Sequence, residues 1–138
     1  MVTKKYKKYH KIKKIFKNEN NNLLSVKKGF YGLKIIESGI ITPKQLETIR
    51  RIFTKITKRA GKIYINISFS QPLTKKPLLS RMGKGCGGVN SWISYIKKGK
   101  IILEILGVPK SIILKAFKAI QHRVIIKMKI IKREILDA

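Results

Sequence analysis

Positive charge is the feature that most limits what this chain can fold into. The chain has 33 lysines and arginines against six acidic residues, a formal net charge of +27 over 138 residues. Self-repulsion at this charge opposes compaction unless a polyanion neutralises it. A hydrophobic fraction of 43% nevertheless argues against a wholly disordered basic tail. The sequence therefore predicts a folded domain with a densely negative partner, first nucleic acid and second an anionic membrane.

Two segments have the apolar spacing of helices. Thr42, Pro43 and Gln45 form a capping-box start, and the apolar residues that follow it at helical spacing are Leu46, Ile49, Phe53 and Ile56. Gly61 is expected to end this helix after a basic last turn at Lys58 and Arg59. A second helix is expected after residues 107–109, with its apolar face at Ile112, Ile113, Ala116, Phe117 and Ile120.

Other segments alternate like strands. Residues 63–69 and 124–130 have a period of two, and residues 92–96 and 100–106 predict a hairpin that turns at Lys98. The expected fold class is α+β, a two-layer sandwich with a largely antiparallel sheet and two helices. Residues 1–22 are assigned to a basic N-terminal arm and linker, and 23–138 to a single RNA-binding domain with a loop at 70–91. The expected core comprises Leu46, Ile49, Ile56, Ile63, Ile65, Ile67, Ile105, Phe117 and Ile126, with Trp92 also placed there.

Two basic segments are candidate binding elements. The N-terminal one is either a solvated tail or an arm that orders on RNA through Lys4, Lys5, Tyr6, Lys7, Lys8, His10 and Lys11. The other combines glycines with Lys75, Lys76, Arg81 and Lys84, and contains no acid. It lacks the spacing of a nucleotide-binding loop and has no base near Cys86. We interpret it as a flexible finger that enters folded RNA, with an ordinary mobile surface loop as the alternative.

Enzymatic, metal and membrane functions have little support in the sequence. One cysteine and two distant histidines provide no disulfide and no metal framework, so no cofactor is expected. The six acids are scattered, and we expect them to be solvated or locally paired and not a catalytic pair. The apolar runs are too short for a transmembrane helix or a secretory signal, so membrane insertion is not expected.

Seven short segments in order resemble the bacterial-type L-sixteen family of large-subunit ribosomal proteins. They are residues 5–11 (KYKKYHK), 29–33 (GFYGL), 42–51 (TPKQLETIRR), 61–65 (GKIYI), 72–77 (PLTKKP), 81–85 (RMGKG) and 107–109 (GVP). The resemblance implies a hammerhead-like α+β sandwich that binds large-subunit ribosomal RNA and helps to position tRNA near the peptidyl transferase region. Neighbouring ribosomal proteins are further implied partners. In this family a second lysine usually stands where this chain has Cys86.

The resemblance also implies roles for particular residues. Arg81, Met82, Gly83, Lys84 and Gly85 would lie in the tRNA-facing loop, and rRNA contacts would come from the arm, Arg50, Arg51, Lys75 and Lys76. For Arg50 and Arg51 a merely solvated face is the alternative. The Lys-, Ile- and Asn-rich composition indicates an AT-rich genome. Together with the departures from the family pattern, it resembles an organellar copy, mitochondrial first because plastid copies stay closer to the bacterial pattern, with a plastid or an AT-rich bacterium as alternatives. The rival functions are a ribosome assembly or regulatory factor, a cationic membrane-active protein and an enzyme.

Overall fold

The computed structural model describes Lys8 and residues 25–133 of the chain. Within this part the elements are, in order, β1 (Tyr31–Ile35), β2 (Gly39–Ile41), α1 (Pro43–Ile56), β3 (Lys62–Ile65), β4 (Gln71–Lys75), β5 (Gly88–Ile96), β6 (Ile101–Leu106), α2 (Lys110–Gln121) and β7 (Met128–Lys132). A four-stranded sheet has the order β3-β6-β1-β7, and a three-stranded sheet has the order β2-β5-β4. All strand pairs are antiparallel, which confirms the expected α+β class.

The prediction of a hairpin between residues 92–96 and 100–106 is wrong. Ile96 at the end of β5 pairs with Gly39 in one sheet, whereas Ile101 at the start of β6 pairs with Lys34 in the other. The turn between them has Gly99 at φ 90°, and the Gly99 amide donates to Ile35 O at 2.8 Å. Strand β6 is apolar except for Glu104, whereas β5 mixes apolar and polar residues, and neither sequence pattern specifies which neighbour the strand selects.

Helix α1 begins as expected and ends early. The Gln45 amide donates to Thr42 Oγ1 at 3.3 Å, and the Thr42 amide donates to Gln45 Oε1 at 3.0 Å, which completes the capping box. The helix stops at Ile56 and does not continue to Gly61. Lys58 and Arg59 have positive φ values of 50° and 67°, so they form a left-handed turn beyond the helix and are not its last turn.

The core is one cluster of residues from both helices, from the four-stranded sheet and from β2 and β5 of the three-stranded sheet. Phe53 of α1 and Ile113 of α2 are fully buried in one cluster with Leu33 of β1 and Leu103 of β6. Leu46, Ile49 and Ile105 are buried as expected, and the expected core residues that pack against the cluster while partly buried are Ile56, Ile63, Ile67, Phe117 and Ile126.

Two residues expected in the core are exposed instead. Ile65 is 41% exposed because β3 is an edge strand, so one neighbour is missing beside it. Trp92 is 37% exposed on β5. The expected strands at 63–69 and 124–130 are also displaced, since β3 ends at Ile65 and β7 begins at Met128. Alternation alone does not reveal where a strand loses its partner.

Candidate nucleic-acid interface

Strands β4 and β5 form a hairpin that presents the glycine-rich loop. Their pairing runs from Gln71 opposite Ile93 to Lys75 opposite Gly88, with an irregularity after Leu73. The expected loop at 70–91 is therefore too long at both ends, and the segment without strand or helix is 76–87. Pro72 suggested a loop, but β4 is an edge strand, where a missing N–H is tolerated.

The loop backbone makes a left-handed turn at its basic end. Gly83, Lys84 and Gly85 have φ values of 97°, 53° and 80°, a run that requires glycine on both sides of the lysine. The Lys76 ammonium donates to the carbonyl of Gly83, which ties the start of the loop to this turn. At the loop base a Cβ on Gly87 would lie 2.5 Å from Lys75 O, so only glycine fits there.

The tip of the loop exposes apolar and cationic side chains together. Leu78, Leu79 and Met82 are 92%, 97% and 101% exposed. Arg81 and Lys84 are also exposed, and the sequence has no acidic residue between positions 71 and 96. Such a surface suits a polyanion that also offers flat apolar faces, which describes the phosphates and bases of folded RNA. Leu78 and Leu79 were not among the residues expected to bind, although an apolar pair after Pro77 in a basic loop was the available signal.

The two arginines of α1 share one carboxylate. Arg50 binds Glu47 through two nitrogens, Nε at 2.8 Å and Nη2 at 2.7 Å, and Arg51 Nε binds Glu47 Oε1 at 2.9 Å. The Arg50 and Arg51 side chains remain 43% and 75% exposed. The cluster therefore carries a net charge of +1 from two arginines and one glutamate, and Glu47 holds both guanidinium groups in defined positions.

Glu47 provides a test of this cluster. Hydrogen bonds from Arg50 and then Arg51 lower the pKa of Glu47 from 4.5 to about 2, and the pair with Glu47 raises the pKa of Arg50. A pKa lowered by folding means that the stabilisation is complete above about pH 4.5 and is lost as the pH falls toward 2. We expect a carboxyl-carbon NMR titration of the folded protein to give a midpoint near pH 2.

The matched variants are Arg50→Gln and Arg51→Gln. Both should raise the midpoint of Glu47, and Arg50→Gln should raise it more because its hydrogen bonds contribute most. Added salt should also raise the midpoint, since the pair is exposed to solvent. A wild-type midpoint near 4.5 would mean that the arginines are not held by Glu47 in solution.

The structure does not gather all the expected binding residues in one place. Arg50 and Arg51 lie on α1, whereas Lys75 and Lys76 lie at the end of β4 and the start of the loop. Lys8 is exposed, and the remaining arm residues lie outside the described part of the chain: Lys4, Lys5, Tyr6, Lys7, His10 and Lys11. The candidate interface that the structure describes in most detail is therefore the loop at 76–87.

The described residues offer little for a metal site or a membrane-spanning helix. Among residues 25–133 and Lys8, no group of three or more His, Cys, Asp or Glu is placed to hold a metal ion. Cys86, the single cysteine of the sequence, is exposed on the loop. Neither described helix is long and apolar enough to cross a membrane.

Comparison with known proteins agrees with the order of the motifs. A family model described as ribosomal protein L16p/L10e matches residues 1–131. The chain belongs to this family. Its relatives include the large ribosomal subunit protein uL16 of Staphylococcus epidermidis, 38% identical over 130 residues that cover 94% of this chain and 89% of the relative. The protein of the same name from Macrococcus caseolyticus is 39% identical with the same coverage.

Membership of the L16p/L10e family confirms two of the expectations. The chain is a structural protein of the large ribosomal subunit, and the family is not enzymatic. The relatives named above are bacterial, so they do not support one organelle over another. The rRNA and tRNA contacts of individual residues remain predictions, which the geometry above makes specific.

Proposed function

We propose that this chain binds large-subunit rRNA through its basic surface and presents the loop at 76–87 to tRNA. The observation that carries the proposal is the loop tip, where Arg81, Lys84 and Met82 are exposed on a segment without acidic residues. A tip held by a paired hairpin can reach into a folded RNA while its base stays in register. The loop positions its partner and performs no chemistry.

Positive charge supplies most of the affinity in this proposal. Each lysine or arginine that meets a phosphate releases a counterion, so binding of the isolated protein should weaken steeply with salt. Arg50 and Arg51 are held on α1 by Glu47, and Lys75 is exposed at the end of β4. These residues, Lys76 and the basic arm are the proposed rRNA contacts, and neighbouring ribosomal proteins complete the surroundings of the chain in the subunit.

A mitochondrial ribosome is the proposed location. The support is compositional, because lysine, isoleucine and asparagine share AT-rich codons and are abundant in this chain. Cys86 stands where the family usually has a second lysine, and such divergence is more typical of a mitochondrial copy than of a plastid one. Sequencing the rRNA that copurifies with the chain would identify the compartment.

The test is sedimentation of a tagged full-length chain through a high-salt sucrose gradient of cell or organelle lysate. We expect one copy per large subunit, both in mature subunits and in translating ribosomes. Migration with immature particles alone would favour an assembly factor that leaves before translation. Migration at the top of the gradient would contradict the rRNA-binding proposal.

A further inference from the structure

A buried carboxylate in β6 is used neither by the core nor by the candidate loop. Glu104 is only 2% exposed, between Leu103 and Ile105. Its Oε2 accepts hydrogen bonds from the amides of Lys27, Lys28 and Gly29 at 3.1, 2.6 and 2.9 Å. Its Oε1 accepts one from Asn66 Nδ2 at 2.7 Å. The expectation that Glu104 is solvated or locally paired is therefore wrong.

These hydrogen bonds keep Glu104 ionised. Burial by itself would raise the pKa of a carboxyl group, but the amides of residues 27–29 and the side chain of Asn66 together hold the pKa of Glu104 below its ordinary value. A carboxylate that accepts several N–H groups fixes the backbone that donates them. Glu104 therefore fastens residues 27–29 to a strand about 75 positions away in sequence.

Glycines allow this segment to lie directly on the sheet. Gly32 is opposite Glu104 in the β1–β6 register, and a Cβ there would lie 2.8 Å from Val26 Cγ2. A Cβ on Gly29 would lie 2.7 Å from Ile105 O. The Phe30 amide donates to that same carbonyl at 2.9 Å. The backbone from Val26 to Phe30 is therefore held against the sheet by packing and by hydrogen bonds.

The outer side of this segment exposes two lysines and one aromatic ring. Lys27 and Lys28 are exposed, and Lys28 Nζ lies 5.7 Å from the centre of the Tyr64 ring, which restricts where that ammonium points. Phe30 is 48% exposed, and its carbonyl accepts the amide of the exposed Arg133 at 2.8 Å. The carboxylate that touches the segment is buried and accepts four hydrogen bonds, so it offers no oxygen at the surface that would compete with RNA phosphates for Lys27 and Lys28.

We propose that Lys27, Lys28 and Phe30 form an RNA-binding ledge whose shape is set by Glu104. The two ammonium groups bind phosphate oxygens. The Phe30 ring stacks on an unpaired base or packs against a ribose. Glu104 is a positioning residue, because it acts through the backbone of residues 27–29 and does not touch RNA. The ledge rests on the proposed function and adds residues beyond the RNA contacts that were expected from the sequence.

The first test removes the two lysines. Binding of the full-length chain to large-subunit rRNA is measured over a range of salt concentrations for Lys27→Ala/Lys28→Ala and for a control with equal charge, Lys97→Ala/Lys98→Ala, in the turn before β6. Loss of two phosphate contacts should reduce the log–log salt slope by about 2. The control should change it less. Equal changes in both variants would overturn the ledge.

The second test separates position from charge. Glu104→Gln and Glu37→Gln each raise the net charge by one, and Glu37 is an exposed residue that pairs with Lys127 at 2.8 Å. Simple electrostatics predicts tighter RNA binding by both variants. We expect Glu37→Gln to bind at least as tightly as wild type, and Glu104→Gln to bind several-fold more weakly with a smaller salt slope. Tighter binding by folded Glu104→Gln would contradict a positioning role.

A third variant covers the case in which Glu104→Gln does not fold. Phe30→Ala removes an exposed ring and leaves both lysines, so we expect weaker binding with an unchanged salt slope. Unchanged affinity in Phe30→Ala would remove the ring from the ledge. If wild-type protein itself failed to bind rRNA, the proposed function would fail. If wild type bound and the ledge variants matched their controls, only the ledge would fail.

Discussion

Replacing Arg81 and Lys84 together with alanine should leave assembly into large subunits intact and weaken tRNA binding by roughly 100-fold or more. A hydrogen bond to a charged group contributes about 1.5–3 kcal/mol, and about 1.4 kcal/mol is a factor of ten in affinity. Both side chains are exposed on the loop at 76–87, so their removal opens no cavity in the core. The measurement is tRNA binding to purified large subunits or ribosomes that carry the variant chain.

The control removes the same charge elsewhere. Lys97→Ala/Lys98→Ala changes the turn between β5 and β6 and leaves the loop unaltered. It should affect tRNA binding much less than the loop variant. Equal losses would mean that general positive charge and not the loop attracts tRNA. Failure of the loop variant to enter subunits would instead place Arg81 and Lys84 among the rRNA contacts.

Gly61→Ala should lower the free energy of unfolding by at least about 3 kcal/mol. Gly61 has φ 83°, where a side chain costs about 1–2 kcal/mol for the backbone alone. Its new Cβ would also lie 2.4 Å from Leu106 O and 2.6 Å from Val108 Cγ2. One of these contacts is with backbone, which cannot move aside without disturbing the end of β6. Urea unfolding of the full-length chain, followed by circular dichroism, measures the loss.

Gly83→Ala is the matched control for backbone strain. Gly83 has φ 97°, but nothing lies within 4 Å of the position its Cβ would take. It should therefore cost about 1–2 kcal/mol or less, the conformational part alone. Equal destabilisation by the two variants would show that the close approach between Gly61 and the β6–α2 connection has no energetic weight.

Local features of the fold were predictable, and pairings between distant residues were not. The start of α1 depends on Thr42 and Gln45, which are three residues apart, so sequence was sufficient to place it. The pairings of β2 with β5 and of β1 with β6 join residues far apart along the chain, and the residue pattern of the strands does not specify them. The exposure of Ile65 likewise depends on β3 being at an edge, which only the assembled sheet determines.

For the candidate site, too, features set by nearby residues were predictable and features set by distant residues were not. Charge and glycine content indicated a loop, because an acid-free basic segment is visible without a structure, but the expected bounds of 70–91 were wider than the observed 76–87. The sharing of Glu47 by Arg50 and Arg51 was within reach, since the spacings are three and four residues. The role of Glu104 was not, because its donors at residues 27–29 are distant in sequence and meet it only after β1 and β6 have paired.

The separation of β5 and β6 into different sheets has a mechanical consequence. The loop at 76–87 is continuous with β5, and β5 passes through a single turn at Gly99 into β6, which carries Glu104. A force on the loop tip is therefore transmitted along one stretch of chain through β5 into β6, one of the two middle strands of the four-stranded sheet. The pairings of β5 with β4 and β2, and of β6 with β1 and β3, would share that force, so we expect the base of the loop to stay in place when a bound ligand moves.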